Sequence, residues 1–209
     1  NDTLYACYTP IRYTVAYSCN GGTSGSTSSS SHVFNESKNL TTNGCLKTGY
    51  NFNGWSTNSD GSGASYGNGQ SVQGIYDVHK GTLRLYAKWQ PRNDIDYTIN
   101  YYIQNVNGSG HTKHSTVVKE DGTADAEKII NPIAITGFTS PSNQNVVIKP
   151  DNSTVVNFYY TRNSYTVTYN SNGATTRKFK GTTYDETNFQ TQSKQKIYYE
   201  MCTILYLFV

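Results

Sequence analysis

The sequence predicts a mainly β protein (α+β class) with few helical residues, and three observations lead to this prediction. Tyrosine is abundant, at 19 of 209 residues, and it favours strands, whereas the plentiful Asn and Gly favour the turns between them. Residues 83–89 alternate, with Leu83, Leu85, Ala87 and Trp89 on one face, as a half-buried strand does. The segment Thr123–Ile130 is the best helix candidate, and it is short.

The stretch from Thr48 to Trp55 predicts the centre of a small hydrophobic core, since it holds three aromatic residues and two glycines within eight positions. A Trp ring removes roughly 150–250 Å² from water when it is buried. At about 25 cal/mol per Å² this contributes roughly 4–6 kcal/mol at most, comparable to the whole stability of a small domain. We therefore expect Trp55, surrounded by Tyr50 and Phe52, to form the core of one module.

The first whole module is predicted at residues 10–91. It is preceded by residues 1–9, where Leu4–Tyr8 matches the type of Leu85–Trp89 and predicts the last strand of a preceding repeat. Tyr13, Val15 and Tyr17 share one face of an opening strand, which ends at the turn 20–22. Residues 23–31 predict a flexible loop or a hairpin tip. A further strand is expected at 32–34, a loop or single helical turn at 35–43, and another loop at 58–69.

A second module is predicted at residues 95–162. Tyr97, Ile99, Tyr101 and Ile103 lie on one face of its first strand, and Asn107-Gly108 signals a hairpin. Strands are also expected at 116–118, 146–148 and 155–160, the last two separated by a turn at 150–152. Ile135–Phe138 echoes the earlier Lys47–Tyr50.

An incomplete third repeat is predicted at residues 163–209. Tyr165–Gly173 repeats Tyr13–Gly21 almost residue for residue, but the aromatic pattern is lost afterwards and the tail after Arg177 diverges. The final apolar residues are far fewer than the ~20 that a membrane helix requires, so no membrane span is expected. Because the chain begins with Asn, we expect a fragment or a processed product.

The four cysteines are Cys7, Cys19, Cys45 and Cys202, none of them in a CxxC pair, so a zinc site is not expected. Cys19 and Cys45 fall within one module and could form a disulfide. Sequence alone does not place their Cα atoms at bridging distance, and free thiols are the alternative.

The sequence predicts no catalytic residues, no cofactor and no metal site. His111 and His114 are the one close histidine pair, and their spacing in a strand places them on opposite faces. The segment 60–63 lacks the spaced carboxylates of a calcium loop, and turn chemistry explains it better. The net charge of +3 and the short basic cluster at 177–180 indicate no nucleic-acid site.

Residues 13–89 resemble a known family through the frame YTVxY, NGG, TGYxFxGW and LYAKW. They are similar to the Listeria–Bacteroides repeat, the B-repeat of internalin B. Residues 97–162 resemble a mucin-binding-protein type repeat of the same class of surface proteins. The resemblance implies small β-grasp-like modules in an elongated tandem array on a bacterial cell surface, without catalytic residues. Cys7 and Cys19 depart from it, standing where such repeats commonly carry polar residues.

Tyr86, Tyr102 and Tyr159 are the candidate ligand-binding residues, because each falls on the outer face of its strand. Exposed aromatic rows can stack on sugars or form protein contacts. The alternative is that they form cross-strand pairs that stabilise a sheet.

The sequence therefore predicts a non-catalytic repeat region of an extracellular surface protein, acting as an adhesion stalk or spacer. The expected partner is a host surface protein, a host glycan or a cell-wall polymer, bound weakly at several sites by a monomer. The alternative function is a carbohydrate-binding module that recognises host or cell-wall glycans.

Overall fold

The computed structural model describes residues 9–166 and three later strands at 176–179, 182–185 and 196–198. The described residues form strands and no helix, which confirms the mainly β class. Nine strands precede the second predicted module: β1 (Arg12–Ser18), β2 (Ser24–Gly25), β3 (Ser30–Val33), β4 (Lys38–Asn39), β5 (Cys45–Leu46), β6 (Tyr50–Ser56), β7 (Ser65–Tyr66), β8 (Ser71–Val72) and β9 (Thr82–Pro91).

Six strands follow within the second predicted module: β10 (Ile95–Gln104), β11 (His111–Gly122), β12 (Glu127–Ile130), β13 (Phe138–Thr139), β14 (Gln144–Val147) and β15 (Thr154–Arg162). Four shorter strands come last: β16 (Ser164–Thr166), β17 (Thr176–Phe179), β18 (Thr182–Asp185) and β19 (Lys196–Tyr198). Strands β16 and β19 pair with each other, as do β17 and β18.

The chain forms two compact units that are not continuous in sequence. The first unit contains the described residues up to Tyr97 together with Glu120–Glu127 and Val147–Thr154. The second unit contains Thr98–Lys119, Lys128–Val146 and the described residues from Val155 onward. The predicted module limits at 10–91, 95–162 and 163–209 are a finer division and stay predictions.

The first unit is built on a five-stranded sheet in the order β3-β1-β9-β6-β7. The adjacent strands β1 and β9 of this sheet are parallel, with Thr14 opposite Thr82 and Ser18 opposite Tyr86. Strand β1 pairs with β3, and β6 pairs with β9 and with β7, in antiparallel fashion. Parallel neighbours require the chain to leave one strand and return to the same end, which the long excursion through β2–β8 accomplishes.

Trp55 lies at the centre of this unit and is completely buried, as the sequence predicts. A β-bulge between Phe52 and Trp55 sets its direction, because Phe52 pairs with Trp89 while Trp55 pairs with Ala87. One extra residue in β6 turns Trp55 to the same side as Phe52, and the two rings pack at 4.9 Å. Gly54 permits this geometry, with φ of 91° and no room for a side chain beside the Tyr66 carbonyl.

The core of the first unit follows the predicted strand faces. Its fully buried members come from the predicted inner faces of β1 and β9 and from the segments between them: Tyr13, Val15, Leu40, Trp55, Val72, Leu85 and Ala87. Phe52 and Trp89 pack against this cluster. Tyr50 does not belong to it, so its predicted place in the core is wrong. It lies at the beginning of β6, and its hydroxyl donates a hydrogen bond to Asp125.

A disulfide between Cys19 and Cys45 closes a segment of 26 residues, with Cα atoms 5.6 Å apart. It joins the turn after β1 to β5, and β5 in turn pairs with β2. The predicted loop at 23–31 therefore contains a paired strand. Cys7 and Cys202 lie outside the described residues, as do the predicted strand at 1–8 and most of the third repeat.

The second sheet has the order β11-β10-β15-β13. Within the second unit the inner face of this sheet carries large buried side chains from the predicted inner face of β10 and from alternate positions of β15: Ile99, Tyr101, Val156, Phe158 and Tyr160. Tyr101 stacks on Phe158 with centroids 6.0 Å apart. The turn at Asn107-Gly108 joins β10 to β11, which confirms the predicted hairpin signal.

The predicted helix at Thr123–Ile130 is wrong. Asp125 has φ of 57°, and a left-handed residue interrupts a right-handed helix. Residues 127–130 instead form β12, which pairs with β14. Ala124 supplies a buried contact rather than a helical turn, since it is 3% exposed. Tertiary packing thus outweighs the local preference of Ala, Glu and Lys for a helix.

Candidate functional site

The structure brings two of the three candidate tyrosines together on the outer face of the second sheet. The rings of Tyr102 and Tyr159 stack with centroids 5.0 Å apart and planes inclined by 17°. The His111 ring meets Tyr159 edge-on, with centroids 5.3 Å apart. Tyr159 is 51% exposed, whereas Tyr102 is half-buried. The arrangement is a cross-strand stack between neighbouring strands with one open edge.

Tyr86 belongs to the first unit and takes no part in this stack. It lies on β9 between Ser18 of β1 and Ser56 of β6, and it is half-buried. The prediction that the three tyrosines bind a ligand stays a prediction. Tyr102 on β10 and Tyr159 on β15 form a stacked pair, and Tyr86 on β9 lies apart from them.

A row of polar side chains crosses the same outer face of the second sheet. Thr116 Oγ1 donates to Asn100 Oδ1 at 2.9 Å, and Asn100 Nδ2 donates to Asn157 Oδ1 at 2.9 Å. Asn100 is 8% exposed, so these bonds satisfy a nearly buried amide. Sequence reasoning missed this row, although its signal was present in the outward positions between the apolar residues of β10 and β15.

Ionisable groups near the core are held in their neutral forms. Burial raises the pKa of Tyr101 and of Tyr160 in the second unit, and it lowers the pKa of His32 in the first. The pKa values of Asp60 and Asp151 are lowered because each accepts hydrogen bonds from the serine two residues later, Ser62 and Ser153. These two carboxylates stabilise turns, which agrees with the turn interpretation of residues 60–63.

Within the residues that the structure describes, no cluster of three or more His, Cys, Asp or Glu side chains is placed to hold a metal ion. In the same residues, no helix has the length and apolar character that crossing a membrane requires.

The relative direction of the first and last strands in each sheet was not predicted from the sequence. In the first unit the chain enters along β1 and leaves along the parallel β9, so it exits at the end of the sheet opposite its start. In the second unit β10 and β15 also run in the same direction, because Asn100 bonds Asn157 while Gln104, further along, bonds the Arg162 amide. Each sheet thus passes the chain from one of its ends to the other.

Comparison with known proteins identifies part of the chain. Residues 13–88 match the family model of the Listeria-Bacteroides repeat domain, which confirms the resemblance of this segment. The chain is also similar to a protein of Evansella cellulosilytica, provisionally named a Gly-rich membrane protein, at 33% identity over 132 residues. That match covers 62% of this chain and only 14% of the relative. No solved structure matches the chain significantly. The predicted mucin-binding-protein type repeat at 97–162 stays a prediction.

Proposed function

We propose that this chain is a non-catalytic spacer in an extracellular stalk of a bacterial surface protein, built from β-grasp-like modules in tandem. The parallel pairing of the first strand and the last strand of the first sheet, β1 and β9, carries this proposal. A module whose termini lie at opposite ends adds its full length to an array. A module with adjacent termini would add almost none.

The expected length per module follows from strand geometry. β9 has ten residues, and at about 3.3 Å per residue it spans roughly 33 Å. The match of residues 13–88 to a repeat domain supports repetition of such lengths along one chain. The membrane-protein name of the relative supports a place at the cell surface. Such a region extends the distance between the cell surface and the outermost part of the protein. Weak binding sites on successive modules would together bind with higher avidity than one site.

Small-angle X-ray scattering of the full chain tests the proposal. A compact protein of 209 residues has a radius of gyration of about 17 Å. We expect a clearly larger radius and a pair-distance distribution with a long tail, as modules joined end to end produce. A symmetric distribution with a radius near the compact value would contradict the spacer function.

The second candidate function is carbohydrate binding, which the exposed Tyr159 favours. Its ring stands beside His111 and the row of amides on β10 and β15, a combination of apolar ring and hydrogen-bonding groups that suits a sugar. A glycan array with the wild-type chain and Tyr159→Ala tests this function. Binding that the substitution abolishes supports it. Absence of binding to host and cell-wall glycans would contradict carbohydrate binding and leave the spacer as the remaining candidate function.

A further inference from the structure

The segment between the two predicted modules is held by backbone hydrogen bonds on both sides. The Arg92 amide donates to the Gly49 carbonyl at 2.9 Å, and the Ala124 amide donates to the Arg92 carbonyl at 2.9 Å. The Arg92 guanidinium also pairs with Asp94 at 2.8 Å. All of these residues belong to the first unit. Arg92 is thus hydrogen-bonded to the turn before β6 and to the segment before β12. A freely moving linker would make no such bonds.

Tyr50 connects the first module to the segment just before β12. Its hydroxyl donates to Asp125 Oδ2 at 2.6 Å, and this bond raises the pKa of Tyr50. Lys47 Nζ lies 3.9 Å from the centre of the Tyr50 ring on the first module's side. Asp125 is fixed in turn, because its amide donates to the Ile148 carbonyl and its φ is 57°. Each partner of the bond thus makes a second contact, Tyr50 with Lys47 and Asp125 with Ile148.

Gly49 contacts Pro150 so closely that no side chain fits between them. A Cβ atom at Gly49 would clash with Pro150 Cβ and would lie 2.8 Å from Pro150 Cα. Contacts this short do not occur between carbon atoms, so the two backbones approach only because residue 49 is glycine. The glycine in the Thr48-Gly49-Tyr50 motif thus permits a close contact with Pro150, a residue of the second predicted module.

The second unit contains a turn with the same backbone hydrogen bonds, just before β13. The Phe138 amide donates to Ile135 and the Asn163 amide to Gly137, as the Tyr50 amide donates to Lys47 and the Arg92 amide to Gly49. The cation over the aromatic ring recurs, with the Arg162 guanidinium 4.7 Å from the Phe138 ring centre. The backbone bonds of the two turns therefore match, whereas the cation comes from the turn itself in the first unit and from β15 in the second.

We propose that the Gly49–Tyr50 turn, Arg92, the Ala124–Asp125 turn and Pro150 form a latch that holds segments 120–127 and 147–154 to the first predicted module. The latch residues fold and unfold together with the first module, which then extends beyond its sequence limits. The inference does not depend on the spacer function, because it concerns the cooperativity of one unit and can fail or succeed by itself.

Hydrogen exchange of the full chain, measured by mass spectrometry, tests the latch. We expect the amides of segments 120–127 and 147–154 to be protected as strongly as those of β9. Gly49→Ala should accelerate exchange in both segments by about tenfold or more, because the added methyl displaces Pro150. Gly61→Ala is the matched control: Gly61 also has a positive φ, of 82°, but its Cβ would meet nothing closer than 4.0 Å. Equal protection of the two segments in both variants would overturn the proposal.

Pro150→Gly and a double-mutant cycle keep the test decisive if Gly49→Ala fails to fold. Pro150→Gly lies outside the first module's sequence, yet we expect it to lower the urea midpoint reported by Trp55 and Trp89. Tyr50→Phe should reduce the folding equilibrium constant of the first module by about threefold to tenfold, the usual effect of losing one hydrogen bond. Asp125→Asn keeps an acceptor oxygen and loses only the charge, so it should have a smaller effect. The double variant should lose no more than Tyr50→Phe alone. An unchanged midpoint with Pro150→Gly, together with additive effects in the cycle, would overturn the latch.

Discussion

Tyr13 and His32 face each other across β1 and β3, with ring centroids 5.5 Å apart and planes inclined by 17°. His32 is only 2% exposed, and its Nε2 lies 2.9 Å from Ser30 Oγ. Burial and, to a smaller extent, the charge of Lys38 lower the pKa of His32 below its ordinary value of 6.5. The first module therefore contains a histidine that folding keeps neutral.

The stability of the first module should depend on pH through His32. In the unfolded chain His32 binds a proton near its ordinary pKa of 6.5, while the folded state binds it only at lower pH. The contribution of neutral His32 to the free energy of unfolding is therefore fully present above pH 6.5. It declines as the pH falls below 6.5, until His32 is protonated in the folded state as well. We expect the urea midpoint measured by Trp fluorescence to fall between pH 7 and about 5.

His32→Phe should flatten this pH dependence, because the substituted ring keeps the stack on Tyr13 and cannot bind a proton. His114→Gln is the matched control, since His114 is exposed on β11, and it should leave the dependence unchanged. A wild-type midpoint that is constant over this range would show that His32 is not kept neutral by the fold.

Trp55→Ala should destabilise the first module by about 3–5 kcal/mol, because it empties a fully buried site. Trp55→Phe is the milder comparison, since it retains a ring against Phe52 and Tyr17 and should cost less. Urea unfolding followed by the remaining Trp89 measures both variants. A loss below about 1 kcal/mol for Trp55→Ala would mean that this ring does not form the core.

Reduction of the Cys19–Cys45 disulfide should lower the stability of the first module by about 3.5 kcal/mol, as expected for a loop of 26 residues. The measurement compares urea midpoints with and without dithiothreitol. The double variant Cys19→Ala, Cys45→Ala should be insensitive to the reductant. Identical midpoints of the wild type in both conditions would argue against the disulfide.

Asn100→Ala should destabilise the second sheet by about 1–2 kcal/mol, because it removes two hydrogen bonds from a nearly buried row and leaves Asn157 without its donor. Both tryptophans lie in the first module, so the tyrosine signal in near-ultraviolet circular dichroism is the appropriate measurement. Thr98→Ala, on the same strand, is the control and should cost less. Equal losses in the two variants would show that the polar row adds nothing specific.

Periodicity in the sequence predicted much of the fold. The alternation in 83–89 and 97–103 placed Leu85, Ala87, Ile99 and Tyr101 on buried faces, where the structure has them. Such assignments succeed because a strand's two faces follow directly from its period of two. The Asn107-Gly108 hairpin was predictable for a similar reason, since a turn is specified by its own residues.

Features that depend on distant residues could not be predicted in this way. Asp125 adopts a left-handed conformation while its carboxylate binds Tyr50, so a segment with helix-favouring residues does not form a helix. The Phe52–Trp55 bulge, the stack of Tyr102 on Tyr159 and the pairing of Cys19 with Cys45 likewise depend on which strands are neighbours. Sequence indicated the residues of the candidate site, and only the topology showed which of them meet.

The distance between the two ends of the first sheet tests the account most directly. Spin labels can be placed at Arg12→Cys, the exposed first residue of β1, and at Asn93→Cys, an exposed position just after β9, in a Cys7→Ser, Cys202→Ser background. Double electron–electron resonance on the full chain should give a distance of about 30 Å or more, because parallel β1 and β9 carry the chain from one end to the other. A distance below about 15 Å would place both ends on one side of the sheet and contradict the spacer geometry.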